Sequence, residues 1–389
     1  MSGLVVVAAA FAAGCAGQGA GVETAAEGRF AGVPPWEVWH DLGLLARLEP
    51  AAGSVRLRSS YCPEGCRHDR HTGDSSRFLR TEGDEGVVFE AHGAGAITRI
   101  WMTTGQGGVS SPLFRNVRVL IRVDGSREPV VDLPLPELFN GTTPPFTPPL
   151  VSDRLVSSGG NVCYVPIPYR SGCTVSLVGA EDVKLYFQFT YHQLVNATGV
   201  RAFTGTEALT RWRVMLDPAV PDPWSGGPFP TVSGTVVVDP GNTATVARLA
   251  GPDTINGLLL RVAPESWPAL SLVLGFDGEQ TVDMPVSDFF AAGVAPADSS
   301  RSLLVGAYDG GDLSCYFPMP FADGATVALA NTGSDGMSAI EVEYAVRSTG
   351  RGPVRPNGLF GAALTVVDHS VVGHDVVVLE LDGWGRWVG

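Results

Sequence analysis

Cys315-Tyr316-Phe317-Pro318-Met319-Pro320-Phe321 decides the reading of this chain, because it has a near-copy in Cys163-Tyr164-Val165-Pro166-Ile167-Pro168-Tyr169. Side chains alternate along a strand, so Phe317, Met319 and Phe321 share one side, as do Val165, Ile167 and Tyr169. The prolines fall on the other side and lack an N–H. The pattern predicts an edge or bulged strand with an apolar inner face.

Working outward, the copy extends. Asp124-Gly125 recurs as Asp277-Gly278. Val131-Asp132-Leu133-Pro134 through Leu138-Phe139 recurs as Val282-Asp283-Met284-Pro285 through Phe289-Phe290. Gly95-Ala96-Ile97-Thr98-Arg99-Ile100 has a weaker echo in Asp253-Thr254-Ile255-Asn256-Gly257-Leu258. The blocks keep their order at nearly constant spacing, which predicts two copies of one domain; so long a period means duplicated domains and not a solenoid.

The 389 residues have room for two or three domains. With 49 Gly, 29 Pro, 17% charged residues and many short Val/Leu/Ile runs, the composition is that of an all-β protein with many turns. A formal net charge of −14 argues against a nucleic-acid partner.

The expected organisation is an export signal over 1–15, a small polar tether over 16–35, a first β-sandwich over 36–212, a second over 213–350, and the start of a further domain over 351–389. Leu4 to Ala13 is too short to span a bilayer as a helix. Ala12-Ala13-Gly14-Cys15 matches a lipobox, which makes Cys15 a lipidation candidate, and also suits ordinary cleavage. Either route exports the chain, to the periplasm, to a lipid-anchored place on the outer membrane, or outside the cell. Trp36 to Leu48 carries apolar residues at helical spacing and predicts a short helix against the first sandwich. The segment 140–158 is too proline-rich to pair and should cover a surface. Strands are expected at 162–167, 364–367 and 376–381, among others.

The densest polar segment runs from Ser59 to Asp74. Cys62, Cys66, His68 and His71 spell C-x3-C-x-H-x2-H, residue types that bind zinc, though unlike the separated pairs of a zinc finger. In an exported chain a Cys62–Cys66 disulfide loop is the simpler reading, and no metal or cofactor is assigned. Cys163, Cys173 and Cys315 fall on strands as buried thiols, with a Cys163–Cys173 bridge as the alternative. No G-x-S-x-G elbow, Walker or dinucleotide glycine string is present. Trp36, Trp39, Trp101, Trp224 and Trp267 are the candidates for stacking on sugar, against the commoner fate of core packing.

Several strings together resemble the bacterial domain-of-unknown-function family 2961, also known as glycoside hydrolase family 172. They are Ser59-Ser60-Tyr61 followed by Asp69-Arg70, Ile97-Thr98-Arg99-Ile100-Trp101-Met102, Val131-Asp132-Leu133-Pro134-Leu135, Asp283 to Phe290, Tyr316 to Phe321, and Gly383-Trp384-Gly385-Arg386-Trp387-Val388-Gly389. The resemblance implies tandem jelly-roll sandwiches, trimers or their multiples, and retaining hydrolysis or transfer of fructofuranosyl or arabinofuranosyl units. It implies that the loop with Ser59, Ser60, Tyr61, Asp69 and Arg70 reaches toward a sugar site, in its own or a neighbouring subunit; the alternative is a loop stapled by its own hydrogen bonds, with Asp69 paired to an arginine.

Two departures stand out. Residues 62–68 are inserted between the family's Ser-Ser-Tyr and Asp-Arg. The family's two catalytic glutamates lie beyond the Gly-x-Gly-x-x-Val-Gly string, and neither of their strings has a match here. Retaining cleavage needs two carboxyls about 5 Å apart. Asp124, Asp132, Glu137, Asp277, Asp283 and Asp288 are the candidates within the chain. The Asp-Gly pairs suit turns in which Asp caps its own backbone, and the recurrence of Asp132 as Asp283 favours a shared structural role. No catalytic residue is assigned. The expectation is an exported carbohydrate-active protein without the catalytic pair; the alternative is a non-catalytic sandwich that binds carbohydrate or builds an assembly.

Overall fold

The computed structural model of the protein describes residues 4–12, 41–47, 53–60, 78–104, 115–157, 159–181, 185–217, 227–292, 300–334, 338–352, 357–367 and 385–388. It also describes 183, 219–220, 222–224, 369, 371, 374, 376–377 and 379–380. The chain divides into two compact units, one within 50–220 and one holding 41–49 and 221–389 together with the first strand.

That strand is β1 (Leu4–Ala12). The first sandwich holds β2 (Ser54–Ser59), β3 (Arg80–Glu82), β4 (Glu85–His92), β5 (Gly95–Thr104), β6 (Arg118–Val123), β7 (Val131–Pro134), β8 (Val151–Ser152), β9 (Asn161–Cys163), β10 (Ile167–Tyr169), β11 (Gly172–Val178) and β12 (Leu185–Gln193). The second holds β13 (Thr231–Val238), β14 (Thr243–Ala250), β15 (Asp253–Arg261), β16 (Leu270–Phe276), β17 (Glu279–Pro285), β18 (Ser300–Arg301), β19 (Val305–Ala307), β20 (Asp312–Cys315), β21 (Met319–Phe321), β22 (Gly324–Asn331) and β23 (Ile340–Ser348). β24 (Leu359–Val367) and β25 (Gly385–Trp387) follow.

In the first sandwich one sheet runs β2-β12-β5-β9-β8 and the other β3-β4-β11-β6-β7. In the second the sheets run β13-β23-β15-β20-β19-β18 and β14-β22-β16-β17. Leaving aside β3, β8, β18, β19 and the split strands β10 and β21, each sandwich has the same order. The first, last, third and sixth strands share one sheet, and the second, seventh, fourth and fifth share the other. This is the double-sheet jelly roll. The chain is all-β, as two copies of one sandwich.

The copies agree in register as well. Ile167 pairs with Ile97 and Cys163 with Ile100; Met319 pairs with Ile255 and Cys315 with Leu258. Each expected Pro-x-Pro strand is split. The ladder breaks at Tyr164–Pro166 and resumes as β10, bonded to β5 alone, with β20, β21 and β15 repeating the arrangement. Proline cannot donate to a second neighbour, so the strand is left one-sided. The inner residues do their expected work: Val165, Ile167 and Tyr169 enter one core, and Phe317, Met319 and Phe321 the other.

Both Asp-Gly turns need left-handed backbone, with φ of 57° at Asp124 and 52° at Asp277. Neither aspartate caps its own turn. Asp124 Oδ1 accepts from the N–H groups of Arg170 and Ser171, in the turn that leads into β11. Asp277 does the same for Ala322, Asp323 and Gly324 before β22.

Other expectations are corrected. The described part of the N-terminal helix is one 3-10 turn, Leu42–Leu44, and its neighbours Leu45 and Ala46 pack into the second sandwich's core, not the first's. Segment 140–158 does pair, through β8, and it buries Phe146 and Leu150. Of the expected strand 376–381, the described residues 376–377 and 379–380 are not strand. β24 pairs along its length with β1, and Phe360 lies 5.5 Å from Phe317 and 6.3 Å from Phe289, ring to ring.

Cys163, Cys173 and Cys315 are free and buried. The alternative bridge is not formed: Cys163 sits in one sheet and Cys173 in the other. Burial pushes the Cys163 and Cys315 thiols up to about 12, and Cys173 well above its ordinary value. A thiol reagent at pH 8 should therefore leave all three unlabelled in the folded protein and label them once it is denatured. Peptide mapping that found any of the three modified in the native state would contradict this packing.

Candidate functional site

Strand alternation gives each sandwich an inner and an outer face. In the first sandwich Phe187 and Phe189 of β12, with Ile100 and Met102 of β5, fill the core. Their neighbours in sequence therefore face outward: Tyr186, Gln188 and Thr190 from β12, and Arg99, Trp101 and Thr103 from β5. Gln188 is paired with Trp101 and with Ser59 of β2, which puts Ser59 on the same face. Val55 and Leu57, further along β2, are 61% and 60% exposed.

Trp101 is half-buried on this face. Its indole lies directly against the Gly160 backbone, where an added Cβ would fall 1.9 Å from Nε1, so only glycine fits there. Thr103 Oγ1 donates to the Gly159 carbonyl at 3.0 Å, and Asn161 Nδ2 donates to the Met102 carbonyl at 3.0 Å. These bonds hold the 159–161 backbone beside the indole. Arg99 Nη1 donates to Gln188 Oε1 at 2.9 Å across the sheet. Tyr164, at the break after β9, is 43% exposed. On the inner side Arg58 sits over the Phe187 ring at 5.8 Å, and burial lowers its pKa. The result is a pleated platform of an indole, two phenols, amides, hydroxyls and a guanidinium. Aromatic faces beside hydrogen-bonding groups suit the two sides of a sugar ring.

The sequence candidates distribute unevenly. Ser59 ends β2, and Ser60 extends its ladder, donating N–H to the Phe187 carbonyl at 2.9 Å and accepting at Oγ from Phe187 N–H. Both lie at the margin of the platform. Tyr61, Cys62, Cys66, Asp69, Arg70 and Cys15, and with them the proposed disulfide and lipid, lie outside the described residues, as do Trp36 and Trp39. Trp267 is buried and donates to the Val262 carbonyl; Trp224 donates to the Tyr316 carbonyl at 2.8 Å. Both serve the second sandwich.

Each carboxylate candidate has a structural partner. Asp124 and Asp277 staple turns. Asp132 pairs with Arg118, and Asp283 accepts from Gln280. Glu137 accepts from Thr143 and Asp288 from Ser287. An open groove of about 450 Å³ on the second sandwich includes Asp277, Glu279, Asp323 and Arg248, but the Asp277 carboxylate already accepts from three backbone N–H groups. Among the described residues no three His, Cys, Asp or Glu side chains are grouped to hold a metal. No described helix is long and apolar enough to cross a membrane.

The platform itself has little sequence signature. Arg99 and Trp101 appear in a recognisable string, but Tyr164, Tyr186 and Gln188 join them only through strand pairing.

Comparison with known proteins then bears on what the sandwiches are. Among solved structures the chain is similar to the major capsid protein P2 from bacteriophage PM2, at 8% identity over 79% of this chain and 100% of that one, with a TM-score of 0.22. It is similar also to the STIV MCP, at 12% identity over 76% and 96%, with a TM-score of 0.21. The jelly-roll assignment rests on the strand order alone. A search of curated proteins found no match. Residues 54–210 match the GH172 first beta-sandwich domain, and residues 229–344 match the description GH172 domain-like. By its two sandwiches, the chain belongs to the GH172 family of glycoside hydrolases.

Proposed function

We propose that this is an exported carbohydrate-active protein whose first sandwich holds furanose-containing glycan on its outer face, and that residues 1–389 bind such glycan without cleaving it. The observation that carries this is the platform of Trp101, Tyr164, Tyr186 and the Arg99–Gln188 pair, on a domain of glycoside-hydrolase kinship. The expectation of no turnover rests on the chemistry: retaining cleavage needs two facing carboxyls, and each candidate carboxylate already has a partner within the chain. Assembly into trimers, export, and a lipid on Cys15 belong to the same proposal.

The test is calorimetric titration of the protein with neutral fructan and arabinan oligomers, beside an assay with aryl fructofuranosides and arabinofuranosides. Trp101→Ala should weaken oligomer binding about tenfold while the protein still unfolds in one cooperative transition, with only a modest loss of melting temperature. Unaltered affinity would place the sugar elsewhere. Enzyme-level turnover would show that a catalytic pair operates within the chain.

A further inference from the structure

The duplicated fold lets each sandwich interpret the other. In the first, Arg99 of β5 pairs in register with Thr190 of β12. In the second, the matching pair is Gly257 of β15 and Arg347 of β23. Both sit next to the same bulge, with Thr98 or Asn256 as the extra residue. One guanidinium thus occupies the same cross-strand position in both copies, contributed from opposite strands. Gly257 makes the room: a Cβ there would lie 3.0 Å from Arg347 Nε.

In the second sandwich this arginine is covered by the chain itself. Both carboxylate oxygens of Asp222 accept from Arg347, and Asn256 Oδ1 accepts from its Nε at 3.0 Å. Arg347 lies 5.1 Å from the Phe229 ring centre and 5.8 Å from that of Tyr316. Tyr316 is 7% exposed. In the first sandwich the residue matching Tyr316 is Tyr164, 43% exposed. Arg99 donates to a neutral amide, and no described carboxylate pairs with it. Although the whole chain carries −14, strands β2, β5, β8, β9, β10 and β12 contain Arg56, Arg58 and Arg99 and not one Asp or Glu. The corresponding strands of the second sandwich contain Asp253, Asp312, Glu341 and Glu343.

We infer that the open face of the first sandwich takes an acidic glycan, with the carboxylate of a uronate residue received by Arg99 as Asp222 is received by Arg347, and with the sugar ring against Tyr164 and Trp101. This rests on the carbohydrate reading above and deepens it. A planar guanidinium matches a carboxylate through two parallel charge-assisted hydrogen bonds, whereas a neutral sugar offers it only uncharged hydroxyl acceptors. A local cation on strands that carry no acid draws such a ligand in spite of the distant net charge, because exposed charges beyond about 10 Å are screened at moderate salt.

The test uses the full chain and three probes: galacturonate oligomers, neutral arabinan oligomers, and a peptide copying residues 218–230. Wild type should bind the uronate oligomers about tenfold more tightly than the neutral ones, and the preference should shrink at high salt. Arg99→Gln should abolish the preference, weakening uronate binding by far more than neutral binding; Arg99→Lys, which keeps the charge but not the fork, should fall between. Thermal unfolding of both variants confirms that they fold. Neutral binding without a uronate preference, or equal losses on both glycans in Arg99→Gln, overturns the inference and leaves the carbohydrate reading standing. Binding of neither glycan overturns both, and Arg99-dependent capture of the peptide in that case makes this a peptide-binding face.

Discussion

Asp222→Ala should destabilise the second sandwich by about 3 kcal/mol. Arg347 is 15% exposed and Asp222 25%, so the pair is largely out of water. Removing one partner of such a pair leaves a buried charge uncompensated, at a typical cost of about 3–5 kcal/mol; the residual exposure favours the lower end. The guanidinium stays fixed by Asn256 and the two rings, so it cannot swing out to solvent without losing those contacts. Asp222→Asn, which keeps an acceptor, should lose less. The double variant Asp222→Ala with Arg347→Met should recover part of the loss, because no orphan charge remains. Urea unfolding followed through the second sandwich measures this. A loss below about 0.5 kcal/mol for Asp222→Ala would mean the pair behaves as a solvated surface contact. The same experiment tests the contrast with the first sandwich, where Arg99→Gln should be nearly neutral for stability.

The second large effect is expected at Asp277. Its carboxylate accepts from the N–H of Ala322 at 2.9 Å, of Asp323 at 2.7 Å and of Gly324 at 3.1 Å, and so ties the β16–β17 turn to the start of β22. Hydrogen bonds to a charged group are each worth about 1.5–3 kcal/mol, and water recovers part of that at an exposed turn. Asp277→Ala should therefore cost about 3 kcal/mol. It also places alanine at φ 52°, where aspartate is better tolerated. Asp124 makes the equivalent staple to only Arg170 and Ser171, and Asp124→Ala should cost the first sandwich less, about 2 kcal/mol. The ordering is the informative part. Equal, small losses at both positions would reduce the aspartates to ordinary turn residues; loss of glycan binding without loss of stability would reopen them as site residues.

These cases show where sequence reading succeeds. The duplication, the all-β class and the apolar inner faces were legible because they are written in local chemistry: alternation along strands, proline's missing donor, and the left-handed backbone of Asp-Gly. The family strings were legible for the same reason, being contiguous. What each Asp does was not. Asp124 and Asp277 bind backbone more than forty residues away along the chain, and only the closing of the sandwich brings those turns within reach. Likewise 140–158 reads as a covering loop from its prolines, yet Phe146 and Leu150 find a core to enter once the sheets are in place.

Sequence by itself determined that two copies of one sandwich exist, and which of their residues point inward. Tertiary structure alone decided that Asp222 and Phe229 cover the arginine on the outer face of the second sandwich. Arg99 and Arg347 sit on different strands, unaligned in the repeat, and become equivalent only when β5 pairs with β12 and β15 with β23 around their bulges. Whether an arginine there meets a carboxylate depends on where residues 222–229 are laid, and a one-dimensional pattern carries no record of that, because the contacts join positions separated by more than a hundred residues.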